Sequence, residues 1–143
     1  AVSVFPQFFF SLISTLGFAV LFNAPRRAVF WAGLTGALGW TVYWLMNQGG
    51  SSLALSTFIG ALTVGLGGEI LARIQKMPVT TYVIPGIVPL VPGYSLYLTM
   101  IHLLGNRLPD SLQAGMDVVL TGGAISIAVI LMPSLARLFT RPS

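Results

Sequence analysis

The sequence divides into five long apolar blocks, and their length limits the possible fold more than any other feature. A helix needs about 20 apolar residues to cross a hydrocarbon core of ~30 Å. Only 7% of the residues are charged, against roughly 25% in an average soluble domain. The sequence therefore predicts an all-α integral membrane protein, a single transmembrane domain over 1–143. Its five transmembrane helices are expected at about 4–22, 28–46, 53–72, 79–104 and 115–138.

The basic residues are unevenly divided between the two predicted sides of the membrane. With five spans, the N-terminus shares its side with Arg107 alone, and the other six basic residues lie opposite. Because cytoplasmic loops are enriched in Lys and Arg, we expect the N-terminus outside and the C-terminus in the cytoplasm. The net charge of +4 comes from basic residues at helix ends, as is typical of the cytoplasmic side of a membrane protein. Membrane lipid is therefore the predicted surrounding, and no nucleic-acid partner is predicted. A re-entrant fourth block would leave four spans and weaken the charge bias.

The fourth block is unusually rich in residues that interrupt helices. Each proline removes a backbone donor and crowds the carbonyl four residues earlier. Irregular backbone inside a membrane is tolerated only where protein or a water-filled cavity surrounds it, and discontinuous helices form substrate sites in many transporters. We therefore predict a broken helix, with a kinked packing helix as the alternative. The interrupting residues are Pro85, Gly86, Pro89, Pro92 and Gly93.

The second half of this block predicts a short helix with a polar face. Pro92 suits the first position of a half-helix ending at Leu104, whose free N–H groups and positive dipole end favour a carboxylate. Ser95, Thr99 and His102 then share one face. Such hydroxyls serve either a substrate or a neighbouring helix. The predicted substrate-binding residues are Pro85, Gly86, Pro89, Pro92, Gly93, Ser95 and Thr99.

Three ionisable side chains inside or at the rim of the spans are candidates for ion coupling. Glu69 precedes Arg73 by four residues, the favourable spacing for an ion pair at the membrane rim, which is the alternative role. Asp117 is predicted in the first turn of the fifth helix, where the helix dipole alone favours an acid. His102 is the one histidine; a histidine can relay protons near neutral pH, or simply be satisfied at the interface.

Glycines in the second and third blocks predict close helix packing. Small residues let helix backbones approach within a membrane, either in one chain or between chains. These positions specify packing and carry no chemistry of their own. They include Gly33, Gly36, Gly39, Gly60, Gly65 and Gly68.

No pattern typical of an enzyme is found in the sequence. It contains no cysteine, no cluster with metal-ligand spacing, no phosphate-binding loop and no nucleophile–histidine–acid signature. Ser95 and His102 would stand about 10 Å apart along one helix, too far for a direct hydrogen bond. We therefore predict no catalytic residues, no cofactor and no metal site.

Two segments resemble the threonine/serine exporter family, over nearly the whole chain in the order of spans and loops. The stretch from Ser56 to Gly93 resembles the family's proline-rich segment. The likeness is nearest to the small subunit of split-type members, which is YjjB-like. The more specific element has the form F-N-x-P-x-R-A, here Phe22, Asn23, Pro25, Arg27 and Ala28.

The resemblance implies export of small carboxylate-bearing metabolites, threonine and serine or succinate, driven by an ion gradient. It also implies a larger YjjP-like membrane subunit as a partner, with a homo-oligomer as a further possibility. Asn23, Pro25 and Arg27 are then a gate at the cytoplasmic face, or they cap, turn and anchor the chain. The leading interpretation is a subunit of a secondary transporter. The alternatives are a non-transporting assembly subunit and a homo-oligomeric channel.

Overall fold

The computed structural model describes residues 4–91 and 93–139, and every regular element in this part of the chain is helical. The predicted all-α class is therefore confirmed. The first three helices follow the first three predicted spans, and the fourth span is divided between two helices. The helices are α1 (Val4–Leu21), α2 (Arg26–Gln48), α3 (Leu53–Gln75), α4 (Thr80–Ile87), α5 (Gly93–Leu104) and α6 (Leu108–Phe139), with a 3-10 turn at Val88–Leu90.

Three helices are long and apolar enough to cross a membrane, namely α1, α3 and α6. The pair α4 and α5, bent by 42° at the break, adds a fourth if it forms one span. α2 is not among them, although its 23 residues extend ~35 Å. Its buried residues are alanine, glycine and threonine, which are less apolar than the leucines and phenylalanines of a lipid-facing helix. By length and composition the structure thus supports three spans, or four with the bent pair, and the fifth stays a prediction.

Four helices end with the same capping geometry. A residue one or two positions beyond each end has a left-handed backbone, with φ of 63° at Asn23, 91° at Gly50, 55° at Lys76 and 58° at Asn106. The next amide then bonds back into the last turn, as in the Schellman motif. These bonds are Ala24 to Ala19 (3.0 Å), Ser51 to Met46 (3.0 Å), Met77 to Ala72 (3.0 Å) and Arg107 to His102 (2.8 Å).

The last helix begins earlier than the span predicted at about 115, because α6 starts at Leu108. Pro109 falls in its first turn, where a missing amide costs no hydrogen bond, and Asp110 supplies the acid of that turn. Asp117 lies more than two turns after Leu108, the first residue of α6. The helix dipole therefore does not explain Asp117, and that part of the prediction is wrong.

The centre of the bundle is α2, α3 and α4, which approach at backbone distance. A Cβ atom on Gly60 would lie 3.0 Å from the carbonyl oxygen of Gly39, and one on Gly68 would lie 2.7 Å from a methyl of Val83. A Cβ on Gly39 would collide with Val64. The predicted close contacts at these glycines are therefore contacts within this chain.

α5 lies outside this centre. Its main contacts are with α6, whereas α4 packs against α1, α2 and α3. The Ser111 hydroxyl of α6 donates to the Thr99 carbonyl of α5 over 2.9 Å. The break thus separates a central half-helix from a peripheral one.

Candidate functional site

The broken span enters the bundle through α4, whose inner face is fully packed. Tyr82, Val83, Pro85 and Gly86 are all buried. Pro85 lies inside α4 and does not end it. The irregular backbone comes later, in the 3-10 turn and at Val91, which is extended (φ −59°, ψ 136°) as expected before a proline. The break therefore occupies the second half of the predicted segment.

Gly86 lies where three helices meet. A Cβ there would lie 2.8 Å from a methyl of Val64 on α3, and 3.6 Å from both the Gly36 nitrogen and the Thr35 methyl of α2. The Cα of Gly86 is thus enclosed by neighbouring helices, and its role in substrate binding stays a prediction.

A cavity of about 260 Å³ lies between the end of α1 and the start of α4. It joins the F-N-x-P element to the first half of the broken span, two segments that are far apart in the chain. Its polar lining residues are one asparagine and two threonines. Pro85 has no N–H, so the Thr81 carbonyl lacks the donor a helix normally provides four residues later. The lining residues are Phe22, Asn23, Ala24, Pro25, Thr80, Thr81, Ile84 and Pro85.

Asn23 and Pro25 turn the chain and line this cavity at the same time. Asn23 takes the left-handed conformation that ends α1, and Pro25 directly precedes α2, its carbonyl accepting from the Ala28 amide over 2.8 Å. The capping role is thus observed. The role as a gate stays a prediction, and the position of both residues on the cavity wall is compatible with it.

A hydrogen-bond chain ties α4 to the F-N-x-P-x-R-A element. The hydroxyl of Tyr82, which is 0% exposed, donates to the Gln75 side-chain oxygen. The Gln75 amide nitrogen donates to the Arg27 carbonyl over 3.0 Å. Sequence reasoning missed Tyr82 and Gln75. A tyrosine in an apolar block was the available signal, because a buried phenol needs a partner.

The other predicted substrate residues do not meet at this cavity. Pro89 is half-buried in the 3-10 turn. Ser95 and Thr99 lie on α5, where the Thr99 hydroxyl donates to the Ser95 carbonyl over 2.7 Å. Pro92 lies outside the described residues, as do the surroundings of Gly93.

The three candidates for ion coupling are also dispersed. Glu69 is half-buried on α3 and borders a second cavity of about 140 Å³. Thr80 of α4 borders both cavities. His102 and Asp117 are half-buried on α5 and α6. Among the described residues, no three His, Cys, Asp or Glu side chains are placed to hold a metal ion.

Comparison with known families gives one match that covers most of the chain. The family model described as "Threonine/Serine exporter, ThrE" matches residues 7–135. This range contains both segments that line the cavity at Asn23. No solved structure was found to match the chain.

Proposed function

Because the chain belongs to the threonine/serine exporter family, we propose that it is one subunit of a secondary transporter. It exports small amino acids or carboxylates, of the threonine/serine or succinate type, across the bacterial inner membrane. It transports and does no enzymatic chemistry. In a transporter built from two different subunits, this chain corresponds to the small, YjjB-like one.

The observation that carries this proposal is the cavity between the ends of α1 and α4. At about 260 Å³ it is smaller than the roughly 300–1,000 Å³ of pockets for drug-sized ligands, which suits a small metabolite. The Asn23 amide and the threonine hydroxyls supply donors and acceptors for such a molecule. Arg26 and Arg27 are exposed beside it and raise the local concentration of carboxylates. We assign it as the cytoplasmic loading site, with Asn23, Pro25 and Arg27 as its gate.

The proposed topology has five spans, formed by α1, α2, α3, the α4–α5 pair and α6. The N-terminus lies outside and the C-terminus in the cytoplasm. Two arguments support it: the length and central position of α2, and the concentration of basic residues on one side. The loading cavity then opens to the cytoplasm, the side from which an exporter takes its substrate.

The proposed partner is a larger YjjP-like membrane subunit, with a second copy of this chain as the other possibility. An open apolar groove of about 460 Å³ between α5 and α6 supports an assembly. The same groove supports the alternative function, a membrane subunit that stabilises a partner without transporting. The groove is lined by Thr99, Leu103, Leu108, Ser111, Leu112, Gly115, Met116, Val119 and Leu120.

Reconstituted vesicles test the proposal. The chain alone, and the chain with its partner, are assayed for efflux of threonine, serine and succinate, with and without an imposed ion gradient. We expect flux that depends on the gradient and requires the complete assembly. Flux that ignores the gradient would favour a channel. No flux in any combination would favour the assembly subunit and contradict the transporter.

A further inference from the structure

Three buried hydroxyl groups have no hydrogen-bond partner in the described part of the chain. They are the side chains of Thr15, Ser56 and Thr57, which are 0%, 0% and 1% exposed. A threonine or serine in a membrane helix normally bonds the carbonyl four residues earlier, as Thr41 does to Ala37 over 2.7 Å and Thr63 to Ile59 over 2.9 Å. A buried polar group without a partner is costly, so these three call for an explanation.

Thr15 lies on α1, about two turns before Asn23 at the loading cavity. Its side chain packs directly on Gly36 of α2, and the Gly36 nitrogen lies 3.6 Å from the position of a Cβ on Gly86. Gly86 follows Pro85, which lines the cavity. The unpartnered hydroxyl is therefore next to the point where the cavity meets the packed part of α4.

Ser56 and Thr57 lie on the other side of the break. One turn after Ser56, a Cβ on Gly60 would lie 3.5 Å from Leu90. One turn after Thr57, Ala61 belongs to the same core cluster as Leu90. Leu90 ends the 3-10 turn, so these two hydroxyls lie just beyond the break, towards the start of α3.

We propose that Thr15, Ser56 and Thr57 are the polar contacts of a substrate route that passes the break in the fourth span. Thr15 contacts the substrate before the break, and Ser56 and Thr57 contact it after the break. A hydroxyl donates to a carboxylate and accepts from an ammonium group, so the route fits the zwitterionic head of a small amino acid. This inference rests on the proposed transport function.

The test measures transport and stability in the same variants. Thr15→Val and Thr57→Val remove the hydroxyl and keep the shape, and Ser56→Ala removes the hydroxyl. Because no hydrogen bond is lost in the folded chain, Tm in detergent should stay constant or rise. The KM for threonine efflux by the complete assembly should rise about tenfold or more, the value of a lost hydrogen bond to a charged group. Thr15→Ser should restore it.

Thr41→Val and Thr63→Val are the matched controls. Their hydroxyls are bonded within their own helices, so Tm should fall slightly while KM stays within about twofold of the parent value. Parent-like KM in Thr15→Val, Ser56→Ala and Thr57→Val, with flux in the parent protein, would overturn the route and leave the transport function standing. A fall in Tm that matches the controls would also overturn it. Succinate flux without threonine or serine flux in the parent protein would overturn the route alone, and no flux of any of the three would overturn both.

Discussion

The two halves of the broken span, α4 and α5, come from one apolar block and reach different environments. α4 is enclosed by three helices, whereas α5 lies against α6 with Met100 56% and Leu104 76% exposed. The difference follows the glycines. α4 contains Gly86 and faces Gly68 of α3, but α5 has glycine only at its first position. In this bundle, therefore, small residues and not hydropathy decide which half is central.

Among the substitutions considered, Gly86→Leu in α4 is expected to have the largest effect on stability and transport. The Cβ of the new side chain would lie 2.8 Å from a methyl of Val64 on α3. Overpacking of such a tight contact costs about 1–3 kcal/mol or more. We expect a large fall in Tm and loss of transport. Gly122→Leu is the matched control, since a Cβ there meets nothing within 4 Å. Equal Tm values for the two variants would contradict the central position of α4.

Pro89→Ala combined with Pro92→Ala tests whether the two halves need to be separate. Without the prolines the segment regains its amide donors and can continue as one helix. We expect membrane insertion at parent levels and abolished transport, measured by membrane yield and vesicle efflux. Transport at the parent rate in this double variant would count strongly against a functional break.

Glu69→Gln tests whether the α4 side of the bundle carries the ion coupling. Glu69 borders the cavity that shares Thr80 with the loading site. We expect export that no longer responds to the proton gradient, with substrate exchange retained. The gradient dependence of export is measured in the same way for Asp117→Asn and His102→Gln, which lie on the α5–α6 side. If only those two variants lose gradient dependence, the ion coupling lies on the side of α5, the peripheral half of the broken span.

Tyr82→Phe should have a smaller effect. It removes the bond to the half-buried Gln75 side chain, a loss of about 0.5–1.5 kcal/mol. We expect a lower Tm and export slowed severalfold. A double-mutant cycle with Gln75→Ala should be non-additive, because the two side chains share one interaction. Additive losses would indicate that the hydrogen-bond chain does not couple α4 to α2.

Met100→Ala on α5 should have the smallest effect, within about 0.5 kcal/mol, as for surface positions away from packed contacts. Unfolding in detergent of the chain by itself measures it. If the variant loses stability only in the assembled transporter, the exposed face of α5 contacts a partner. A large loss in the isolated chain would contradict the peripheral position of α5.

Much of the fold could be predicted from the sequence because its signals are local. The apolar length of α1 and α3, and the prolines of the fourth block, act within one element. The start of α6 was misplaced because polar residues at 105–114 resemble a loop, although Pro109 and Asp110 suit a first helical turn.

The site was less predictable, since it depends on contacts between distant segments. Nothing local to Asn23 indicates that it faces Thr81 across a cavity. The bond between Tyr82 and Gln75 joins two helices across a turn, and periodicity does not reveal it. Ser95 and Thr99 share a face as predicted, but which helix meets that face is decided by the path of the chain after the break.

The double position of Asn23 has a consequence for how freely this chain can vary. Its backbone must accept a left-handed conformation, which asparagine and aspartate tolerate better than most residues other than glycine. It also lines the cavity, where, in the proposed loading role, glycine would contribute no polar side chain and aspartate would repel a carboxylate. The observed backbone geometry and the proposed ligand chemistry, acting on one position, together favour asparagine.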